Sequence, residues 1–274
     1  MRARAAVLRR VRCALLLATA AGAATNSPYS FSLSTFSPDG RLQQIEFAFK
    51  AVERALPAAA VICADGVVLA KCVRRGDEGL GCAESPHVCR VTESVVATYA
   101  GLPADFRALV KQCQDMAVAH ARTWGAPMGV GALAAALGAH LQEHTQLGGL
   151  RPFGCSVLLA GVDDDGAPKL YRVDPSGWCA PWTAAAVGAG AGDAGEKIAA
   201  RLADGAPDVD AAAALLVELL DGADRAVATA VARPPEDASW EIRVDAARPR
   251  PPDEEAAADE EAEAAEETEE DEDV

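Results

Sequence analysis

Asp65-Gly66 stands between two apolar runs, Ala58–Ala64 and Val67–Val73. An Asp-Gly pair takes up the positive backbone angles of a tight hairpin turn, so the two runs are predicted to be antiparallel strands. The rest of the chain has to be organised around this ribbon. Ahead of it, Leu42, Ile45, Phe49, Val52 and Leu56 recur at helical spacing, after a turn at Ser37-Pro38-Asp39-Gly40 and before Pro57, which stops the helix. Behind it comes a strand pattern at Val95–Ala100. Two helix patterns follow, near Pro103–Trp124 and Met128–Thr145, split by Gly125-Ala-Pro127. A second strand block runs through Phe153–Gly161, Lys169–Val173 and Trp178–Val187, with turns at Asp163–Gly166 and Asp174–Gly177. Two more helix patterns, Glu196–Leu202 and Asp208–Ala223, precede a last strand around Trp240–Val244. Antiparallel strand blocks with segregated helix pairs predict an α+β fold, a four-layer α/β/β/α sandwich of two antiparallel sheets between helix layers.

Charge separates the ends of the chain from its middle. The 274 residues carry 25 Lys+Arg against 41 Asp+Glu, a net charge of −16. Of the acids, 14 lie in Pro252–Val274, where no base follows Arg250. Arg2, Arg4, Arg9, Arg10 and Arg12 occupy the opposite end, and the middle is left near balance. No Lys/Arg stripe survives this division, so a nucleic-acid partner is not expected. The acidic tail, 248–274, lacks aromatics and is expected to stay disordered and solvated. Within it, Thr268-Glu-Glu-Asp271 makes Thr268 a candidate phosphorylation site. At the front, the arginines lead into the apolar run Cys13–Ala24. Residues 1–28 therefore fit a secretory signal, a transit peptide or an extension from a misassigned gene start. The run is too short to span a bilayer, and no membrane partner is expected.

Candidate chemistry is sparse. Eight cysteines form no C-x-x-C, and several sit in apolar strand-like runs, as buried thiols do. Gly190–Lys197 departs from a phosphate loop because its Lys does not follow Gly directly, so the Gly188–Gly192 run is predicted to be a flexible loop. Asp163-Asp-Asp-Gly166 lacks the distal Glu of a calcium loop. His140 and His144 are one helical turn apart without the Glu of H-E-x-x-H, and are expected on a solvated helix face. No catalytic set, metal site or cofactor is predicted.

The stretch Tyr29-Ser-Phe-Ser-Leu-Ser-Thr-Phe-Ser-Pro-Asp-Gly-Arg-Leu-Gln-Gln-Ile-Glu-Phe-Ala48 closely resembles the signature that opens alpha-type subunits of the 20S proteasome. Gly149–Leu159, Asp174-Pro-Ser-Gly177 and Thr98–Leu102 resemble further segments of that family, and the likeness covers about Tyr29 to Val244. It implies an Ntn-hydrolase-like domain at 29–247. Proteolytic beta-type relatives attack with an N-terminal Thr whose own amine is the base. Here the head of the first strand is Ala58-Ala59-Ala60, with neither a nucleophile nor a free amine. The resemblance therefore implies a non-catalytic ring subunit, built into the 20S core with other alpha and beta subunits. Such a subunit serves ubiquitin-dependent protein degradation in cytoplasm and nucleus. Its alternatives are a divergent hydrolase of the same fold and an orphan copy outside the ring. The family's pore gate would fall on Tyr29, Ser30, Phe31, Pro38 and Phe47. Phe47 replaces the usual Tyr and loses a hydroxyl worth about 1 kcal/mol of hydrogen bonding. Regulatory activators dock through a Lys that the resemblance places at Ile62, where no carboxylate partner remains.

Overall fold

Ala58–Cys63 (β1) and Gly66–Arg74 (β2) pair antiparallel, as the Asp-Gly signal predicts, but Cys63 stands opposite Gly66, so Gly66 is the first residue of β2 and not part of the turn. The computed structural model describes residues 35–64, 66–74, 87–147, 150–162, 167–202, 205–220, 225–233 and 241–248. For the last two segments only the backbone is described. Residues 1–34 and 249–274 thus lie outside it, and with them the gate candidates Tyr29, Ser30 and Phe31, the front extension, the acidic tail and Thr268. The turn residues Asp163–Gly166 and the cysteines Cys13 and Cys82 also lie outside.

The remaining elements, in chain order, are α1 (Gln43–Glu53) ahead of β1, then β3 (Val88–Arg90), β4 (Val95–Gly101), α2 (Pro103–Trp124) and α3 (Val130–His144). They continue with β5 (Cys155–Val162), β6 (Pro168–Val173), β7 (Cys179–Trp182), β8 (Ala184–Val187), α4 (Ala191–Leu202), α5 (Val209–Leu220), β9 (Arg225–Arg233) and β10 (Glu241–Arg248). They form two five-stranded antiparallel sheets, ordered β10-β9-β2-β1-β8 and β3-β4-β5-β6-β7.

Period-2 alternation sorts the strand residues between two sides. Ala58 and Ala60 of β1 join Val67 and Leu69 of β2 in a cluster with Val96, Ala100, Leu158, Ala160 and Leu170 of the other sheet. Ala59, Val61, Val68 and Ala70 point the other way, against Ile198 of α4 and Val209, Ala212 and Leu216 of α5. Tyr99, Val157 and Leu159 pack with Phe106 and Leu109 of α2 and Leu133, Leu137 and Leu141 of α3. Both sides of the central strands are covered, which explains why these strands read as unbroken apolar runs.

Four sequence expectations need correction. Trp178–Val187 is two strands in different sheets, β7 pairing with β6 and β8 with β1. Thr183 alone lies between them, and its carbonyl accepts a hydrogen bond from Ile62 N–H at 2.8 Å. Pro181, which has no N–H to give a second neighbour, is tolerated because β7 is an edge strand. The Gly188–Gly192 run is not a loop throughout: Gly188 and Gly190 turn with positive φ, and α4 begins at Ala191. Ala191, Ala194, Ile198 and Leu202 then form one apolar face on β8 and its neighbours. Finally, β3 and β9 add two strands to the expected set, and the final strand extends to Arg248.

Candidate functional site

The head of β1 is where the resemblance puts a nucleophile in catalytic relatives. Helix α1 ends with Arg54 N–H bonded to Lys50 O at 3.3 Å, and the chain passes through Leu56-Pro57 into β1. Backbone donors then close over this link. Ala189 N–H reaches Ala55 O and Cys72 N–H reaches Pro57 O, each at 2.9 Å. Gly188 is required here: a Cβ on it would stand 2.8 Å from Pro57 Cα. The side chains of Ala58, Ala59 and Ala60 are fully buried.

Lys71 of β2, opposite Ala58, completes the enclosure. Its Nζ donates to Tyr99 O at 2.9 Å and to Leu56 O at 3.4 Å, and lies 4.2 Å from the centre of the Tyr99 ring. Burial lowers its pKa to about 8, with the Cys72 thiol opposing the shift. The Tyr99 hydroxyl is pushed the other way, upward, chiefly by burial. Nothing in the sequence pattern flags Lys71, because a single Lys in an apolar run reads as a surface residue. The side chain is held by carbonyls and an aromatic face, a satisfied buried cation.

The turn before α1 takes the expected form. Gly40 N–H bonds Ser37 O at 2.8 Å, and Arg41 N–H bonds the buried Ser37 side chain at 3.2 Å. Pro38 is exposed on this turn, and Phe47 is 47% exposed on α1. Phe36, at 64%, is exposed beside them in sequence. Ile62 is half-buried against the inter-sheet cluster. It lines a shallow groove of about 410 Å³ with Lys169, Leu170, Pro181, Trp182 and Thr183. Pro38 and Phe47 lie on the turn and helix ahead of β1, and Ile62 lies within β1.

A second polar centre ties α2 to β5. Asp105, in the first turn of α2, accepts two guanidinium bonds from Arg151 at 2.6 and 2.7 Å and the Gly154 N–H at 2.9 Å. Burial alone would raise its carboxyl pKa, but the Arg151 hydrogen bonds and the Gly154 N–H outweigh it and hold the pKa below the ordinary value. In the β6–β7 turn, Asp174 receives Ser156 Oγ at 2.9 Å and Arg172 Nε at 2.8 Å, and Gly177 N–H closes on Asp174 O at 2.8 Å.

The histidine pair departs from its expectation. His140 and His144 are half-buried rather than solvated, with rings 4.6 Å apart and Phe153 packed against both. Burial, then the neighbouring His144, lowers the His140 pKa, against the pull of Glu143. Cys113 and Cys155 are buried thiols; burial pushes Cys113 up to about 12 and Cys155 further. No group of three or more metal-ligating side chains occurs among the described residues, and no helix among them is long and apolar enough to cross a membrane.

Comparison with known proteins gives these features a setting. Residues 52–229 match the proteasome subunit family, and residues 29–51 match the N-terminal signature of its A-type members. The chain is 40% identical over 164 residues to the proteasome alpha type-2 subunit of Caenorhabditis elegans, covering 58% of this chain and 68% of that one. It is 40% identical over 163 residues to the proteasome alpha type-2-A subunit of Arabidopsis thaliana, covering 60% and 69%. Against the proteasome alpha subunit of Archaeoglobus fulgidus it is 39% identical over 162 residues, covering 59% and 65%. The chain thus spans about two thirds of the length of the relatives it matches. The family match, the alpha-type signature directly ahead of it and the paired antiparallel sheets agree that the chain belongs to the proteasome subunit family, on its alpha-type branch.

Proposed function

We infer that this chain is a structural, non-catalytic subunit of the outer alpha ring of a 20S proteasome core, assembling with other alpha and beta subunits for ubiquitin-dependent protein degradation in cytoplasm and nucleus. The observation that carries this is the unbroken succession of the N-terminal signature at 29–51 and the subunit family match at 52–229. The head of β1 supports the non-catalytic part. Ala58 is peptide-bonded behind Pro57, fully buried and without a nucleophile, and the link before it is closed by backbone hydrogen bonds. Such a subunit is a four-layer α/β/β/α sandwich of the Ntn-hydrolase kind over 29–247, flanked by an extension and an acidic tail; the two antiparallel sheets and the helix pairs packed against them support this part of the reading.

Within that ring, Tyr29, Ser30, Phe31, Pro38 and Phe47 contribute to the gate over the axial pore. The exposed Pro38 and Phe47 are available to neighbouring subunits. Ile62 leaves its activator pocket weak, since an alkyl side chain cannot pair with a carboxylate. Thr268 is a phosphorylation site in the tail.

Co-expression with the remaining ring subunits tests the central reading. The tagged chain should co-sediment with the assembled core and peptidase activity. A chain recovered only as free protein would overturn it. Titration of an activator's C-terminal peptide into rings carrying Ile62→Lys tests the pocket; binding unchanged from the parent would remove that element.

A further inference from the structure

Outside the head of β1, the structure brings two histidines together at the end of α3. They are four residues apart on one helical face, and their ring centres stand 4.6 Å apart at an interplanar angle of 62°. His144 Nδ1 lies 3.0 Å from His140 O. A carbonyl can only accept, so Nδ1 carries the proton and the His144 Nε2 lone pair is left free. This is the outer hydrogen bond by which metal-ligating histidines are commonly fixed in one tautomer. Neither nitrogen of the His140 ring has a protein hydrogen-bond partner among the described residues. Phe153 packs on both rings, at 4.7 Å from His144 and 6.0 Å from His140, and restricts their rotation. Glu143, between them in sequence, adds a nearby negative charge that acts on His140.

We propose that His140 and His144, half-buried at the C-terminal end of α3, form a two-imidazole binding site for a divalent transition metal, of the Zn²⁺, Ni²⁺ or Cu²⁺ class. Imidazole nitrogen suits these ions and not Mg²⁺ or Ca²⁺, which prefer oxygen. With no third side chain gathered among the described residues, water fills the remaining positions, and the site is of the open kind. It owes nothing to the ring-assembly reading and stands or falls separately from it.

The test is titration of Zn²⁺ into the chelator-stripped full chain, read by competition with a chromophoric chelator, with excess Mg²⁺ present to occupy the acidic tail. One Zn²⁺ should bind per chain. His140→Ala and His144→Ala should each weaken binding at least about tenfold, since even outer-shell losses are felt on that scale. With Cu²⁺, the electron paramagnetic resonance spectrum should show coupling to imidazole nitrogen that the double variant lacks. Zn²⁺ affinity unchanged in the double variant, or no binding to the parent chain beyond what Mg²⁺ displaces, would overturn the proposal. Should His144→Ala fail to fold, His140→Ala alone decides, because that ring makes no hydrogen bond to the described chain.

Discussion

At the scale of single residues, the two most consequential side chains are polar groups in apolar surroundings. Lys71 has a folded-state pKa near 8, below the 10.5 of the unfolded chain. Between these values the unfolded state binds more protons, so stability rises with pH there, and the penalty of burying the charge is fully present below pH 8. The buried thiols work in the opposite sense. Their pKa values are raised, so their contribution is intact below about pH 9 and is lost as pH climbs further. That loss sets in as pH nears 9, so the Lys71 effect is read as the difference between the parent chain and Lys71→Met, which share those thiols. In denaturant melts at about pH 8 and pH 9, the parent should gain about 1 kcal/mol relative to Lys71→Met. For Asp105 the sign is that of a carboxylate. Its depressed pKa gives stability present above the ordinary Asp range and lost as pH falls through the folded value. Asp105→Ala leaves the Gly154 N–H and the Arg151 guanidinium without their acceptor, and should cost about 1–3 kcal/mol in the same assay.

At the scale of elements, glycine separates two kinds of helix contact. A Cβ on Gly138 of α3 would meet Gly177 O at 2.7 Å, where the helix rides over the β6–β7 turn, whereas a Cβ on Gly192 of α4 meets nothing within 4 Å. Gly192→Ala should thus stabilise by about 0.5–1 kcal/mol, as relief of backbone entropy does in a helix. Gly138→Ala should destabilise by about 1–3 kcal/mol, because backbone has to move aside. Thermal melts of the two variants should shift in opposite directions. These elements also mark how far the sequence can be read. The first hairpin, α1, α2 and α3 are legible because turn pairs, Pro57 and Gly125 punctuate strong periodic patterns. Helix α4 is obscured because its core face is largely Ala, which carries little hydrophobic signal, and its first turns contain Gly192 and Gly195. The break at Thr183 is hidden because Trp178–Val187 continues as extended chain, and only pairing partners reveal two strands. Strand β9 does leave a trace, in the alternation Ala226-Val-Ala-Thr-Ala-Val-Ala232. The Asp105–Arg151 pair leaves none, since its partners are 46 residues apart and ion pairing has no periodic signature.

At the scale of the whole molecule, large apolar side chains remain on the surface. Trp124 at the end of α2 is 73% exposed, and Trp178 just before the edge strand β7 and Trp182 at its end have ring centres 6.4 Å apart while half-open to solvent. Such patches belong to a chain that expects neighbours. Made without its ring partners, it should sediment above monomer mass in analytical ultracentrifugation, and co-expression should replace those species with one defined assembly. The passage from β7 to β8 bears on how that assembly carries load. With a single residue between an edge of one sheet and an edge of the other, those two edges cannot part by stretching a loop. A force that tends to part the sheets along this edge therefore falls on backbone bonds and strand pairing, with no slack chain to take it up.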